Sequence, residues 1–164
     1  MKRLLIAVLC FVMLLGSVSC GDDGLIEYTD DSGITVRLPE GYSKFNMDGF
    51  TYALFNDDTF FFAMRESFAD LYDKHKLSSD ASLAEYAQLV ANGNGIQTRI
   101  ILNSKDDLYF VYGTKSEDGT EHFFYATVKR GSDAFWLCQF ACPIDKQEEM
   151  SEQFDLWADK IKVD

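Results

Sequence analysis

Histidine is almost missing from this chain: His75 and His122 are the only two in 164 residues. A histidine-based triad therefore has few ways to form. The sequence also has no G-x-S-x-G, no H-E-x-x-H, no phosphate loop and no dinucleotide fingerprint. Those gaps lower the case for an enzyme. Proline is scarce, with two residues, and glycine is modest at 11, which argues against disorder beyond a short tether. Positive charge is in deficit as well, with 15 Lys and Arg against 27 Asp and Glu. The net charge of −12 becomes two units more negative once Lys2 and Arg3 are removed. Such an acidic surface argues against nucleic acid and against anionic lipid headgroups as partners.

What is abundant is aromatic: 14 Phe and 8 Tyr, in a chain that is 15% aromatic. These side chains suit pleated, half-buried surfaces and favour a β-rich fold. The stretch from Glu121 to Ile161 organises the rest, reading as two long strands, a tight turn and an amphipathic closing helix. In the second strand Trp136, Cys138, Phe140 and Cys142 point one way. Phe135, Leu137 and Ala141 point the other way, and Gln139 is the only polar member of the run. A strand that is apolar on both faces needs cover on both, so this is a central strand with helices above and below.

The chain opens with Lys2 and Arg3 followed by the apolar run Leu4 to Leu15, the pattern of a secretory signal that is too short for an ordinary membrane span. Small residues then lead to Cys20. The segment GSVSC resembles the lipobox of bacterial lipoproteins, whose cysteine is lipidated and becomes the mature N-terminus. Val18 and Ser19 match the usual choices, while Ser17 departs from the usual Leu. The expected organisation is a lipoprotein signal peptide over 1–19, a lipidated tether over 20–24 and a single domain over 25–164. A conventional signal cut nearby, with Cys20 an ordinary early thiol, is the plainer alternative.

Strands are expected at Leu25–Thr29, Ile34–Leu38, Tyr42–Met47, along FTYALF after the Asp48-Gly49 hairpin signal, and from Phe60 to Arg65. Ser67–Lys76 reads as a short helix with Phe68, Leu71, Tyr72 and His75 on one side. Ser82 and Glu85 form a capping box for a second helix striped by Leu83, Ala87, Val90 and Ala91, which Asn92–Gly95 ends. Further strands are expected at Ile96–Leu102 and Leu108–Tyr112, with turns at Lys105–Asp107 and Glu117–Gly119. Asp145 with Glu148 should cap the last helix, whose stripe is Met150, Phe154, Trp157 and Ile161. Short links between successive strands imply a mainly antiparallel sheet, an α+β fold with helices packed on both faces.

Several residues could carry chemistry. Cys138 and Cys142 sit four apart on one strand, about 13 Å of extended chain, whereas bridged Cα atoms lie within roughly 7 Å. A bond between them needs the strand to fold back before Pro143, so two buried core thiols are the better reading. A metal site would need more ligands than His122 can recruit nearby. The acid pairs Asp30-Asp31, Asp57-Asp58 and Asp106-Asp107 fall in turns, where acids are chosen for turn geometry, and none has the spacing of a calcium loop.

The order of sheet and helices, the SLAEYA helix and the ending AFWLCQFACP…FDLWADKI resemble small bacterial lipoproteins of the PsbP-like α/β/α-sandwich group, which includes DcrB-type proteins. The similarity spans roughly Gly24 to Val163. The resemblance implies an accessory or binding module without catalytic residues, and no site residue can be carried over from it. The expectation is therefore a lipid-anchored, extracytoplasmic module holding a partner protein or small ligand. It would need no catalytic, cofactor-binding or metal residue and no cofactor, and its membrane contact would be the lipid on Cys20. The rival is an envelope hydrolase built from turn carboxylates and His122; a third reading is a structural factor that oligomerises. A cleft gathering His122 with carboxylates would favour the enzyme, an exposed aromatic patch the binding module.

Overall fold

The computed structural model describes residues 24–103, 107–116 and 118–164. Most of the leader and tether, Cys20 included, thus lies outside the described residues, as do Lys105, Asp106 and Glu117. The strands are β1 (Ile26–Asp30), β2 (Ile34–Leu38), β3 (Ser43–Lys44), β4 (Tyr52–Asn56), β5 (Thr59–Ser67), β6 (Ile101–Leu102), β7 (Leu108–Lys115), β8 (Glu121–Arg130), β9 (Ala134–Pro143) and β10 (Lys162–Val163). The helices are α1 (Phe68–His75), α2 (Leu83–Gly93) and α3 (Gln147–Ala158).

Seven strands form one sheet in the order β3-β4-β5-β9-β8-β7-β6, and β1-β2-β10 form a second. Every pairing is antiparallel. The fold is α+β with an antiparallel sheet and helices on both faces, as expected. The strand β9 is central, and Ala134 to Cys142 are all buried. Its Trp136–Cys142 face packs with Leu54, Phe61, Tyr125 and the Phe154–Trp157 side of α3, and Ile34, Val36 and Leu38 of the small sheet close that core. Its Phe135–Leu137 face packs with Leu71 of α1 and with Tyr86, Ala87 and Val90 of α2. Among the described residues, both cores and all strand pairings lie between Leu25 and Asp164.

Local signals explain much of this. The Ser82 capping box forms in both directions, Glu85 N–H to Ser82 Oγ at 3.2 Å and Ser82 N–H to Glu85 Oε2 at 2.7 Å. At the other end of α2, Gly95 takes φ +65°, its N–H reaches the Asn92 carbonyl at 3.1 Å, and Ile96 N–H reaches back to Ala91 at 2.8 Å. That is a Schellman ending, which needs a left-handed residue.

Four expectations change. The strands divide into two sheets where one was expected: β1 and β2 pair with each other and with a final strand β10, and not with the large sheet. Of Ile96–Leu102 only Ile101–Leu102 is strand; Thr98 Oγ1 holds the preceding segment by donating to the Val111 carbonyl at 2.8 Å. Asp145 does not cap the last helix: Pro143 leads into a 3₁₀ turn at Ile144–Lys146 that continues into α3 without a side-chain cap. Lys146 instead pairs with Asp58 at 2.5 Å. On α1 only Leu71 is buried and Tyr72 is 56% exposed, because this short helix rests on the sheet by little more than one residue.

Candidate binding cleft

On the α1–α2 side the helices cover only part of the large sheet. The uncovered part forms a cleft of about 730 Å³. Its floor comes from Phe62 and Met64 of β5, Leu137 and Gln139 of β9, Phe124 of β8, and Phe110, Tyr112 and Thr114 of β7. One wall is the end of α2 and the chain beyond it, from Val90 through Asn94 to Gln97. The Schellman turn just described is what bends the backbone along this wall. The opposite wall is the β3–β4 turn, with Met47, Gly49 and Phe50. Gly49 holds φ +86° while Phe50 N–H reaches the Met47 carbonyl at 3.2 Å, a conformation a side chain at position 49 would strain. The Asp48-Gly49 signal thus builds one side of the site.

Among the described residues, the lining contains neither a carboxylate nor a histidine nor a cation. Its polar groups are Asn94, Gln97 and Thr114 together with one hydrogen-bonded pair, in which the Tyr112 hydroxyl donates to Gln139 Oε1. Gln139 is 6% exposed, and burial pushes the Tyr112 phenol up to about 12, so it stays a neutral donor near pH 7. Beside the cleft runs a phenylalanine cluster. Phe60 and Phe62 stack at 5.9 Å, Phe50 meets Phe62 at 5.0 Å, and Phe45 meets Phe55 edge-on at 5.6 Å. Met47 and Phe55 are exposed there at 44% and 40%. Past Met64 and Phe50 a shallower groove brings in Arg65, Glu66, Asp70 and Lys74, where Tyr86 donates to Glu66 Oε2 at 2.7 Å.

A second depression lies against α3, lined by Leu102, Asn103, Tyr109, Tyr125, Asp155 and Leu156 among others. Of its two carboxylates, Glu152 and Asp155, the second is already engaged: Asp155 Oδ1 accepts from Tyr125 at 2.7 Å and from Asn103 at 3.0 Å. Burial and this bond push the Tyr125 phenol up.

The residues singled out for chemistry do not converge among the described residues. Cys20 and Asp106 lie outside them. Asp30 caps its own turn through Ser32 N–H at 3.0 Å and pairs with Lys44, which holds its carboxyl low despite partial burial. Asp58 pairs with Lys146, and Asp107 with Lys129 at 2.8 Å. His122 lies on β8 opposite Thr114 and Pro143, near the Asp118 turn. Among the described residues no three metal-ligating side chains come together. Cys138 and Cys142 are free and fully buried, and β9 stays extended through Pro143. The cleft itself escaped sequence reasoning, although Gln139 stood out as the one polar residue in its run.

No protein-family model matches the chain, and no curated protein resembles it by sequence. Solved structures do resemble it. The solution structure of cyanobacterial PsbP from Synechocystis sp. PCC 6803 is 15% identical with a TM-score of 0.54, over 89% of this chain and 98% of that one. A mutant of the protein Mog1 is 9% identical with a TM-score of 0.51, over 85% of this chain and 95% of that one. LpqN of Mycobacterium tuberculosis, described as involved in cell envelope biogenesis, is 12% identical with a TM-score of 0.50, over 87% of this chain and 92% of that one. At such identities the likeness concerns backbone architecture, and the chain has a PsbP-like α+β sandwich fold.

Proposed function

We propose that this protein is a lipid-anchored, extracytoplasmic binding module that holds a small apolar ligand in the cleft beside α2. The observation that carries this is the cleft itself: about 730 Å³ of preformed, mainly apolar space with few polar groups, the Tyr112–Gln139 pair among them. Binding sites are commonly concave, mostly apolar and furnished with few polar groups, and this volume falls in their range. The fold neighbours agree with an accessory role, since one is described by a part in envelope biogenesis and another is a PsbP protein. The open phenylalanine cluster favours a second reading, in which a partner protein covers the same face. Among the described residues, His122 and the turn carboxylates do not gather as the hydrolase alternative requires. Saturable binding of the neutral fluorophore N-phenyl-1-naphthylamine by the Gly24–Asp164 domain is the expected result. A fluorescence signal that never saturates, or none, would contradict it.

The anchor rests on the GSVSC segment behind its charged and apolar leader. Among the described residues no helix is long and apolar enough to cross a membrane. Cys20→Ser should abolish fatty-acid labelling and release the protein from membranes. Wild-type protein retained on membranes without label would show that the cysteine is not the anchor.

A further inference from the structure

Gln139 is the strangest residue in the large sheet. It sits mid-strand in β9, opposite Phe62 on one side and Ala126 on the other, between Leu137 and Ala141 on its own face. All four neighbours are apolar, and the position would be filled most simply by another aliphatic side chain. A glutamine amide brings two donors and an acceptor with two lone pairs. Tyr112 supplies one partner, donating its only hydroxyl hydrogen to Oε1. That bond turns the amide oxygen toward β7. The side chain lines the cleft, and among the described residues no acceptor is recorded for the two hydrogens of Nε2. The residue is nonetheless only 6% exposed. A nearly buried amide that lines an apolar cavity with no acceptor recorded for its donors is an arrangement that a bound acceptor would complete.

The charge around the cleft narrows the choice further. Among the described residues no cation lines it, and Arg65 and Lys74 stand in the adjoining groove together with Glu66 and Asp70. Arg65 is moreover paired with Asp133 at 2.5 Å. An anionic ligand would therefore lose its hydration without gaining a counter-charge, in a chain whose net charge is already −12. We infer that the cleft selects a neutral, mainly apolar molecule bearing one oxygen acceptor, such as a ketone, ester or amide carbonyl, and that the Gln139 amide nitrogen is the group that reads it. This rests on the ligand-binding reading of the cleft and adds the chemical class of the occupant. The phenyl rings of Phe62, Phe110 and Phe124 would grip the apolar body, and the carbonyl would point down at β9.

The test compares three probes of one shape on the Gly24–Asp164 domain. 2-Acetylnaphthalene carries the acceptor, 2-ethylnaphthalene lacks it, and 2-naphthoate replaces it with an anion. Methyl resonances of Met47, Met64, Val90 and Leu137 report occupancy of the cleft. The expected result is that 2-acetylnaphthalene binds about five-fold tighter than 2-ethylnaphthalene, the worth of one ordinary hydrogen bond, and that 2-naphthoate binds worst. Gln139→Leu should erase the preference between the two neutral probes. Should that variant fail to fold, Tyr112→Phe unties the amide and should narrow the preference, and the wild-type comparison stands without either. Equal affinities for the two neutral probes, or a preference that survives Gln139→Leu, would overturn the inference yet leave the cleft a binding site. Failure of every probe to move those methyls would overturn both.

Discussion

Trp157→Ala destabilises the folded domain by about 3–5 kcal/mol, the loss usual for a large buried aromatic. The indole is 6% exposed and sits where three elements meet. It lies edge-on to Tyr42 at 6.3 Å, against Phe140 of β9 at 5.9 Å and beside Phe154 of its own helix at 5.7 Å. Ile34, Val36 and Leu38 of the small sheet belong to the same cluster. Removing the ring opens a cavity between rigid layers, and two sheets and a helix cannot all collapse into it. The midpoint of urea unfolding should fall accordingly with the slope unchanged. A midpoint equal to that of the wild type would mean that α3 does not seal this face.

The second large effect is chemical silence. Cys138 and Cys142 are both free and fully buried on the α3 face of β9. Burial pushes the Cys138 thiol up to about 12 and the Cys142 thiol to about 11, from an ordinary 9.0. Because the thiolate is the nucleophile, neither should react with a thiol reagent in the native domain, and two groups should appear on unfolding. Two groups that react at once in the native protein, or that need a reductant after denaturation, would contradict this geometry. The same shifts fix a sign for pH. The folded state favours the protonated thiols, so their contribution is constant below pH 9. It erodes as pH rises from 9 toward about 11, where unfolded thiols ionise and buried ones do not. Stability that rose across that interval would point to thiolates in the fold.

The parts legible in advance were those with dense local signals. The nine apolar or small positions around Gln139 marked β9 as central, and the Ser82–Glu85 spacing marked α2 before any packing was known. Asp48-Gly49 likewise announced the turn that walls the cleft. Elements fixed by distant contacts were not legible. Lys162–Val163 is too short to show a period, and it becomes a strand only because β2 offers it an edge. Tyr86 was passed over in the stripe of α2, yet it is fully buried and stacks on Phe135 at 4.7 Å with its hydroxyl satisfied by Glu66. The polar tip disguised a core residue. Asp145 had the right residue type and spacing for a cap, but Pro143 set the entry angle first. The cleft depends on how far α2 reaches across the sheet, a tertiary distance that no local pattern carries.

The central claim is that the space beside α2 is where this protein binds. Methyl spectra of the Gly24–Asp164 domain, recorded while N-phenyl-1-naphthylamine is added, test it most directly. The account predicts saturable shifts at Met47, Met64, Val90 and Leu137, which surround the cleft, with Ile34 and Ile161 on the opposite face unmoved. Shifts centred instead on Leu102 and Leu156 beside α3, or spread evenly over both faces, would contradict it.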